Sequence, residues 1–169
     1  RPKPGERRVQ ILQALAGMLE QPGAERITTA ALAARLSVSE AALYRHFASK
    51  AQMFEGLIDF IEQSVFTLVA QITGRELPEA GQPPEVGARQ AARIVAVLLQ
   101  FGERNPGMVR VMVGDALVFE HERLQQRMNH FFDRIESTLR QCLRTAASGS
   151  ATPTVDAQVA AGVLTALAL

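Results

Sequence analysis

Tryptophan is absent from the 169 residues, and tyrosine and cysteine occur once each. The single cysteine, Cys142, excludes an intrachain disulfide and removes any reason to assume an oxidising compartment, so a cytosolic setting is expected. Cys142 lies at helical spacing from Leu139 and beside Leu143, the setting of a small buried hydrophobe. Long apolar runs are also missing: the longest, Val159 to Leu169, is too short to span a bilayer, so no membrane span is expected. That stretch meets the end of the sequence without capping residues, which predicts a native protein that continues further. Nothing at the other end resembles a signal or transit segment. No stretch alternates strictly between apolar and polar residues, so strands are not expected and no glycine-rich phosphate loop can follow one. His46, His121 and His130 lack the spacing of a zinc site with Cys142, and Glu120-His121-Glu122 reads as a solvated surface. The expectation is a chain with no catalytic residues, no metal and no cofactor, and not an enzyme.

What is present is aliphatic and helical. A hydrophobic fraction of 47%, a charged fraction of 21% and a mean hydropathy of +0.05 describe a globular protein with one substantial core. The net charge of +1 hides a division. Residues 1–50 carry eight Lys or Arg against four acids, a net of +4, whereas residues 51–169 carry ten against thirteen, a net of −3. Such asymmetry suggests that one end meets a polyanion.

Apolar residues recur at spacings of three and four, which predicts an all-α chain. A first helix near residues 6–21 aligns Ile11, Leu12, Leu15 and Leu19. Thr28 or Thr29 can cap a second helix reaching Leu36, and Ser39 a third running to about His46. Ser49 and Gln52 form a capping box for a fourth helix with Phe54, Leu57, Ile61, Val65, Leu68 and Ile72 as its buried stripe. A loop is expected from Gly74 to Gly87, a fifth helix from Arg89 to Arg104, and a short sixth from Asn105-Pro106 to about Gly114. Leu124, Met128, Phe131, Phe132, Ile135, Leu139 and Leu143 trace a long seventh, with Arg123, Arg127, Arg134 and Arg140 on its polar face. A last, almost wholly apolar helix starting at Thr152-Pro153 suits burial against neighbours or another subunit.

The informative segment is Thr28 to Lys50, TTAALAARLSVSEAALYRHFASK. Leu32, Leu36, Val38, Leu43 and Phe47 supply the internal packing set of a helix-turn-helix, in which the second helix reads DNA. With Leu43 and Phe47 inward, its outer face presents Ser39, Glu40, Ala42, Tyr44, Arg45 and His46. The small Ala41 and Ala42 allow close approach to a major-groove floor, and Tyr44, His46 and Lys50 can reach phosphates. Thr28 and Thr29, at a helix N-terminus, can hold another phosphate. Arg7 and Arg8, placed just outside the first helix, could touch the backbone or the minor groove.

LSVSEAALYRHFASKAQMF resembles the helix-turn-helix of the TetR family, with Ser37 at the turn position usually held by glycine and Ala41 where a second glycine is common. A non-glycine there is strained if left-handed. SEAALYRHF followed by LIDFIEQS, FGERNPG and RLQQRMNHFFDRIESTLRQCLR resembles the nucleoid occlusion factors within that family, over about Val9 to Arg144. The resemblance implies a DNA-binding domain over residues 1–48 and a helical regulatory and dimerisation domain over 49–169. It also implies a homodimer joined by its last helices and a palindromic site on double-stranded DNA. The implied location is cytoplasmic and nucleoid-associated, and the implied partner is the acidic C-terminal tail of the division GTPase FtsZ, received between the fourth and fifth helices. Phe60, about 100° around the helix from Ile61, is an apolar residue that the core does not obviously use. Val97 and Gln100 fall one turn apart, and Arg104 with Asn105 closes the fifth helix. By resemblance Phe60, Val97, Gln100, Arg104 and Asn105 occupy partner-binding positions. The alternative is a ligand-responsive transcriptional repressor with the same head, in which Phe101, Met108, Met112, Phe119 and Phe131 could line a cavity rather than plain core.

Overall fold

Hydroxyl side chains start three of the helices. The Thr28 Oγ1 accepts from the Ala31 amide at 3.1 Å and opens α2 (Thr29–Arg35), and the Ser39 Oγ accepts from Ala42 at 3.2 Å and opens α3 (Glu40–Tyr44). At the head of α4 (Lys50–Gly74), Ser49 Oγ accepts from the Gln52 amide at 3.2 Å. Gln52 Oε1 reaches back to the Ala48 amide at 2.9 Å, one residue earlier than a standard capping box. The structure, a computed structural model, describes residues 2–3, 5–22, 26–74 and 84–148, with only the backbone of 84 and 145–148. The remaining helices are α1 (Glu6–Leu19), α5 (Pro84–Arg104), α6 (Pro106–Met112) and α7 (Glu122–Ser148), with a 3₁₀ turn at Asp115–Leu117. Among the described residues there is no strand, as the all-α expectation requires. The expected last helix and most of the expected loop after Gly74 lie outside them.

Several boundaries differ from the sequence reading. Arg7 and Arg8 belong to α1 rather than preceding it. α3 ends at Tyr44, because the Leu43 carbonyl takes both the His46 and the Phe47 amides and the chain turns there. α5 begins at Pro84, five residues before Arg89: proline suits the first helical position, and Glu85 favours the positive end of the helix dipole. In α4, Leu68 is exposed and Ile72 half-buried, and the buried set instead includes Met53, Ile58 and Val69. Of the five residues considered as cavity lining, Phe101, Met108, Met112 and Phe131 are buried, whereas Phe119 is exposed beside Val118.

Two packing units emerge, and both are discontinuous in sequence. The first takes residues 1–61 and 105–128, the second 62–104 and 129–169. In the first, Ile11, Leu15 and Leu19 of α1, Leu32 of α2, Leu43, Phe47 and the start of α4 are buried. α6 lies so close on α1 that a Cβ on Gly107 would run into the Ala16 carbonyl oxygen. The Arg110 Nη1 donates to the Leu19 carbonyl at 3.2 Å, capping an α1 that has no basic residue in its last turn. Arg123 and Arg127 are not simply solvated: Arg123 Nε meets Glu55 Oε1 at 2.7 Å, and Arg127 pairs with Asp59. In the second unit the Phe131 ring lies tilted, 5.1 Å from the Phe66 centroid, and the Arg134 guanidinium stands 3.8 Å from that same Phe66 centroid. Cys142 is buried, and its thiol donates to Gln90 Oε1 at 3.6 Å; burial pushes its pKa up, so it stays protonated.

Two substitutions test this packing. Ser37 holds φ +54°, a left-handed conformation that costs a non-glycine residue about 1 kcal/mol. Ser37→Gly is therefore expected to raise the unfolding free energy by no more than about 0.5 kcal/mol in urea denaturation, most of the relief being offset by glycine's greater freedom when unfolded. Gly107→Ala should lower it by roughly 1–3 kcal/mol, because the added methyl must push α6 away from α1.

Candidate nucleic-acid interface

The candidate reading helix α3 has only five residues, so its orientation has to be imposed from outside. On its inner side Leu43 is fully buried, and Phe47 follows it into the core after the turn. At its C-terminal end Arg8, reaching across from α1, donates to the His46 carbonyl and places its guanidinium 4.1 Å from the Phe47 ring centroid. Arg8 thus fixes the turn beyond α3, a role the sequence alone did not reveal. At the other end the Thr29 hydroxyl donates to Glu40 Oε2 at 2.7 Å, joining the start of α2 to the first turn of α3.

The face left open matches much of the expected one. Thr28, Ser39, Glu40, Tyr44 and Arg45 are exposed, and Thr29, Ala42 and His46 are half-buried. His46 is outside the helix and Arg45 is its C-cap, so both side chains project from the turn rather than from the reading helix itself. Arg45 and His46 share a cleft with Lys3, Arg7, Val38 and Ala42, which concentrates basic groups beside α3. The sequence gives Lys3 only a share in the head's charge; its place in this cleft depends on the N-terminal residues folding back alongside α3.

Lys50 does not lie open with the others. Its Nζ is 2.6 Å from Glu120 Oε1, and both side chains are largely buried. Glu120 was expected on a solvated surface with His121 and Glu122. Instead it faces Lys50, and His121 Nδ1 accepts from the Arg123 amide at 3.1 Å, closing the start of α7.

The residues expected at the partner site are distributed over both units. In the first, Phe60 is 46% exposed and shares a cleft of about 360 Å³ with Asn105. Val9, Leu12, Leu57 and Met108 supply much of its apolar wall, and Glu20 is an acidic lining residue. Asn105 stands at the N-cap position of α6, but its side chain does not close the cap. In the second unit, Val97 is half-buried and Gln100 and Arg104 are exposed, Arg104 in the last turn of α5. Among the described residues no group of three or more His, Cys, Asp or Glu could hold a metal ion, and no helix is long and apolar enough to cross a membrane.

This arrangement, two short capped helices with a left-handed turn and a basic outer face, is that of a DNA-reading head, and comparison with known proteins agrees. Residues 11–57 match the family model for bacterial regulatory proteins of the tetR family, and residues 88–168 match an SlmA-like, tetracyclin repressor-like C-terminal domain. The fold is shared with the TetR family regulator PfmR of Thermus thermophilus at a TM-score of 0.72 and 24% identity, covering 95% of this chain and 81% of that one. A TetR/AcrR family regulator from Thermobifida fusca gives a TM-score of 0.66 at 16% identity, covering 97% and 82%. The chain is thus a TetR-type helix-turn-helix protein.

Its likeness to one group within that class is much higher. It is 54% identical over 138 residues to the nucleoid occlusion factor SlmA of Idiomarina loihiensis, covering 82% of this chain and 66% of the relative. Against the SlmA proteins of Photobacterium profundum and a Marinomonas species the identities are 52% over 143 residues and 54% over 144, covering 84% and 85% of this chain and 69% of each relative. The chain belongs to the SlmA family of nucleoid occlusion factors, and it spans about two thirds of the length of these curated relatives.

Salt titration separates the roles on the reading face. Arg45→Ala should weaken binding to every duplex and lower the slope of log K against log[salt] by about 0.9. Ser39→Ala or Glu40→Ala should change which sequences are preferred while leaving that slope unaltered.

Proposed function

We propose that this chain is a nucleoid-associated, cytoplasmic division regulator. As a homodimer it binds palindromic chromosomal sites through the head at residues 1–48, and through the helical part at 49–169 it captures the acidic C-terminal tail of FtsZ and antagonises ring assembly over the nucleoid. The observation that carries this reading is the 52–54% identity to SlmA proteins, which runs through the head and the helical part alike. A generic DNA-binding head would give likeness in the first 57 residues alone. On DNA, Thr28, Thr29, Ser39, Glu40, Ala42, Tyr44, Arg45 and His46 form the contacting face, with Lys50 behind it.

The proposed tail-binding positions come from the resemblance to nucleoid occlusion factors, and the chemistry of these residues is compatible with them. An acidic peptide needs a cation and a place for its apolar anchors. Within the first unit the apolar cleft beside Phe60 and Asn105 is open enough to receive an apolar anchor, and within the second Arg104 is an exposed cation on the same helix as Val97 and Gln100.

The direct test is sedimentation of FtsZ filaments in GTP with the protein, its palindromic DNA, or both. Protein plus DNA should shift FtsZ from pellet to supernatant; no shift would favour a ligand-responsive repressor with the same head. Phe60→Ala and Arg104→Ala should each weaken tail binding by about tenfold or more while DNA affinity is preserved. Equal loss of both activities would assign these residues to folding instead.

A further inference from the structure

Lys50 begins α4, three residues beyond the Phe47 that ends the reading turn, at a position where a phosphate contact is expected. Its Nζ instead lies 2.6 Å from Glu120 Oε1 and 5.9 Å from the Phe54 ring centroid. The two paired side chains are only 19% and 10% exposed. The first turn of a helix is also where the helix dipole opposes a cation, so Lys50 sits against that field and Glu120 supplies the countercharge. Basic groups of residues 105–128, which carry Glu120, are engaged elsewhere: Arg110 with Asp115 and the Leu19 carbonyl, Arg123 with Glu55, and Arg127 with Asp59.

A carboxylate oxygen at this distance gives the ammonium what a DNA phosphate oxygen would give it: one full anionic acceptor within hydrogen-bond reach. We infer that Glu120 is an internal competitor for DNA phosphate, holding Lys50 masked and so setting both the affinity of the head and its sensitivity to salt. The inference rests on the reading of the head as a DNA-binding module. Its physical consequence concerns counterions. The pair enters the complex with no net charge. If DNA displaces Glu120, the freed carboxylate recruits a cation as Lys50 gives one up to the phosphate; if it does not, Lys50 makes no contact. In both cases Lys50 adds nothing to the net release of counterions, which an unmasked lysine would raise by about 0.9 per phosphate. Glu120 is therefore a positioning residue that acts through Lys50, about 70 residues away in sequence.

The test uses the full chain and a mixed-sequence duplex, because phosphate-driven binding needs no operator. Binding is titrated against salt for the native protein, Glu120→Gln and the double variant Lys50→Gln/Glu120→Gln. Glu120→Gln should bind more tightly at low salt, with a slope steeper by about 0.9. The double variant should return to the native slope although a lysine has been removed. A Glu120→Gln slope equal to the native one, or a loss of affinity in the folded variant, would overturn the inference. If Glu120→Gln does not fold, the double variant alone decides: a slope shallower than native by about 0.9 would show that Lys50 already works unmasked. Should the native protein show no salt-dependent binding at all, the DNA-binding reading fails first, and that result is distinct from either outcome above.

Discussion

In the first unit the backbone of α6 rests directly on the backbone of α1, and the other contacts of the head are arranged around that approach. It is possible because Gly107 has no side chain to hold the helices apart, and it is reinforced where Arg110 caps the last turn of α1. α1 in turn carries Arg8, which binds the chain just beyond α3. A five-residue helix cannot fix its own direction. The orientation of the reading face is thus inherited, through α1, from residues remote from it in sequence.

The same unit shows why net charge describes the head poorly. The sum of +4 for residues 1–50 counts every lysine and arginine as available to a polyanion. Arg8, however, is engaged by a carbonyl and an aromatic ring, and Lys50 is engaged by Glu120. The other described basic groups are unevenly placed: Lys3, Arg7, Arg45 and His46 stand around one cleft, while Arg26 and Arg35 are exposed outside it. Field strength at the DNA surface follows from these few groups and not from the total.

Helix starts were legible wherever the signal was local. Thr28, Ser39 and Ser49 cap their helices through bonds to residues three positions on, so the pattern lies within one turn of chain. The strained turn at Ser37 was legible only through the resemblance, because the TetR pattern usually has glycine there. The early start of α5 was hidden because Pro84 and Gly87 read as loop residues, although proline is well suited to a first helical position. Leu68 was placed in the α4 stripe by spacing alone, whereas burial follows the neighbours that the fold brings against each part of the helix. Of the candidate site residues, those of α3 could be named because one short motif contains them. Glu120 could not, since its partner is remote in sequence and its own neighbours, His121 and Glu122, suggest solvent. Grouping Phe60 with Asn105 rested on resemblance and not on spacing. The cleft that they share is walled by α1, which no local pattern could have supplied.

The lone cysteine has a practical consequence. Cys142 is buried and its thiol is held in the unreactive protonated form, so these 169 residues present no competing thiol to a thiol-directed dye. A cysteine introduced at an exposed position such as Val118 would give these residues one accessible attachment point without removing the natural cysteine. The surroundings of that position in the first unit could then be followed by fluorescence as the head engages its target, in a chain whose core has been left unaltered.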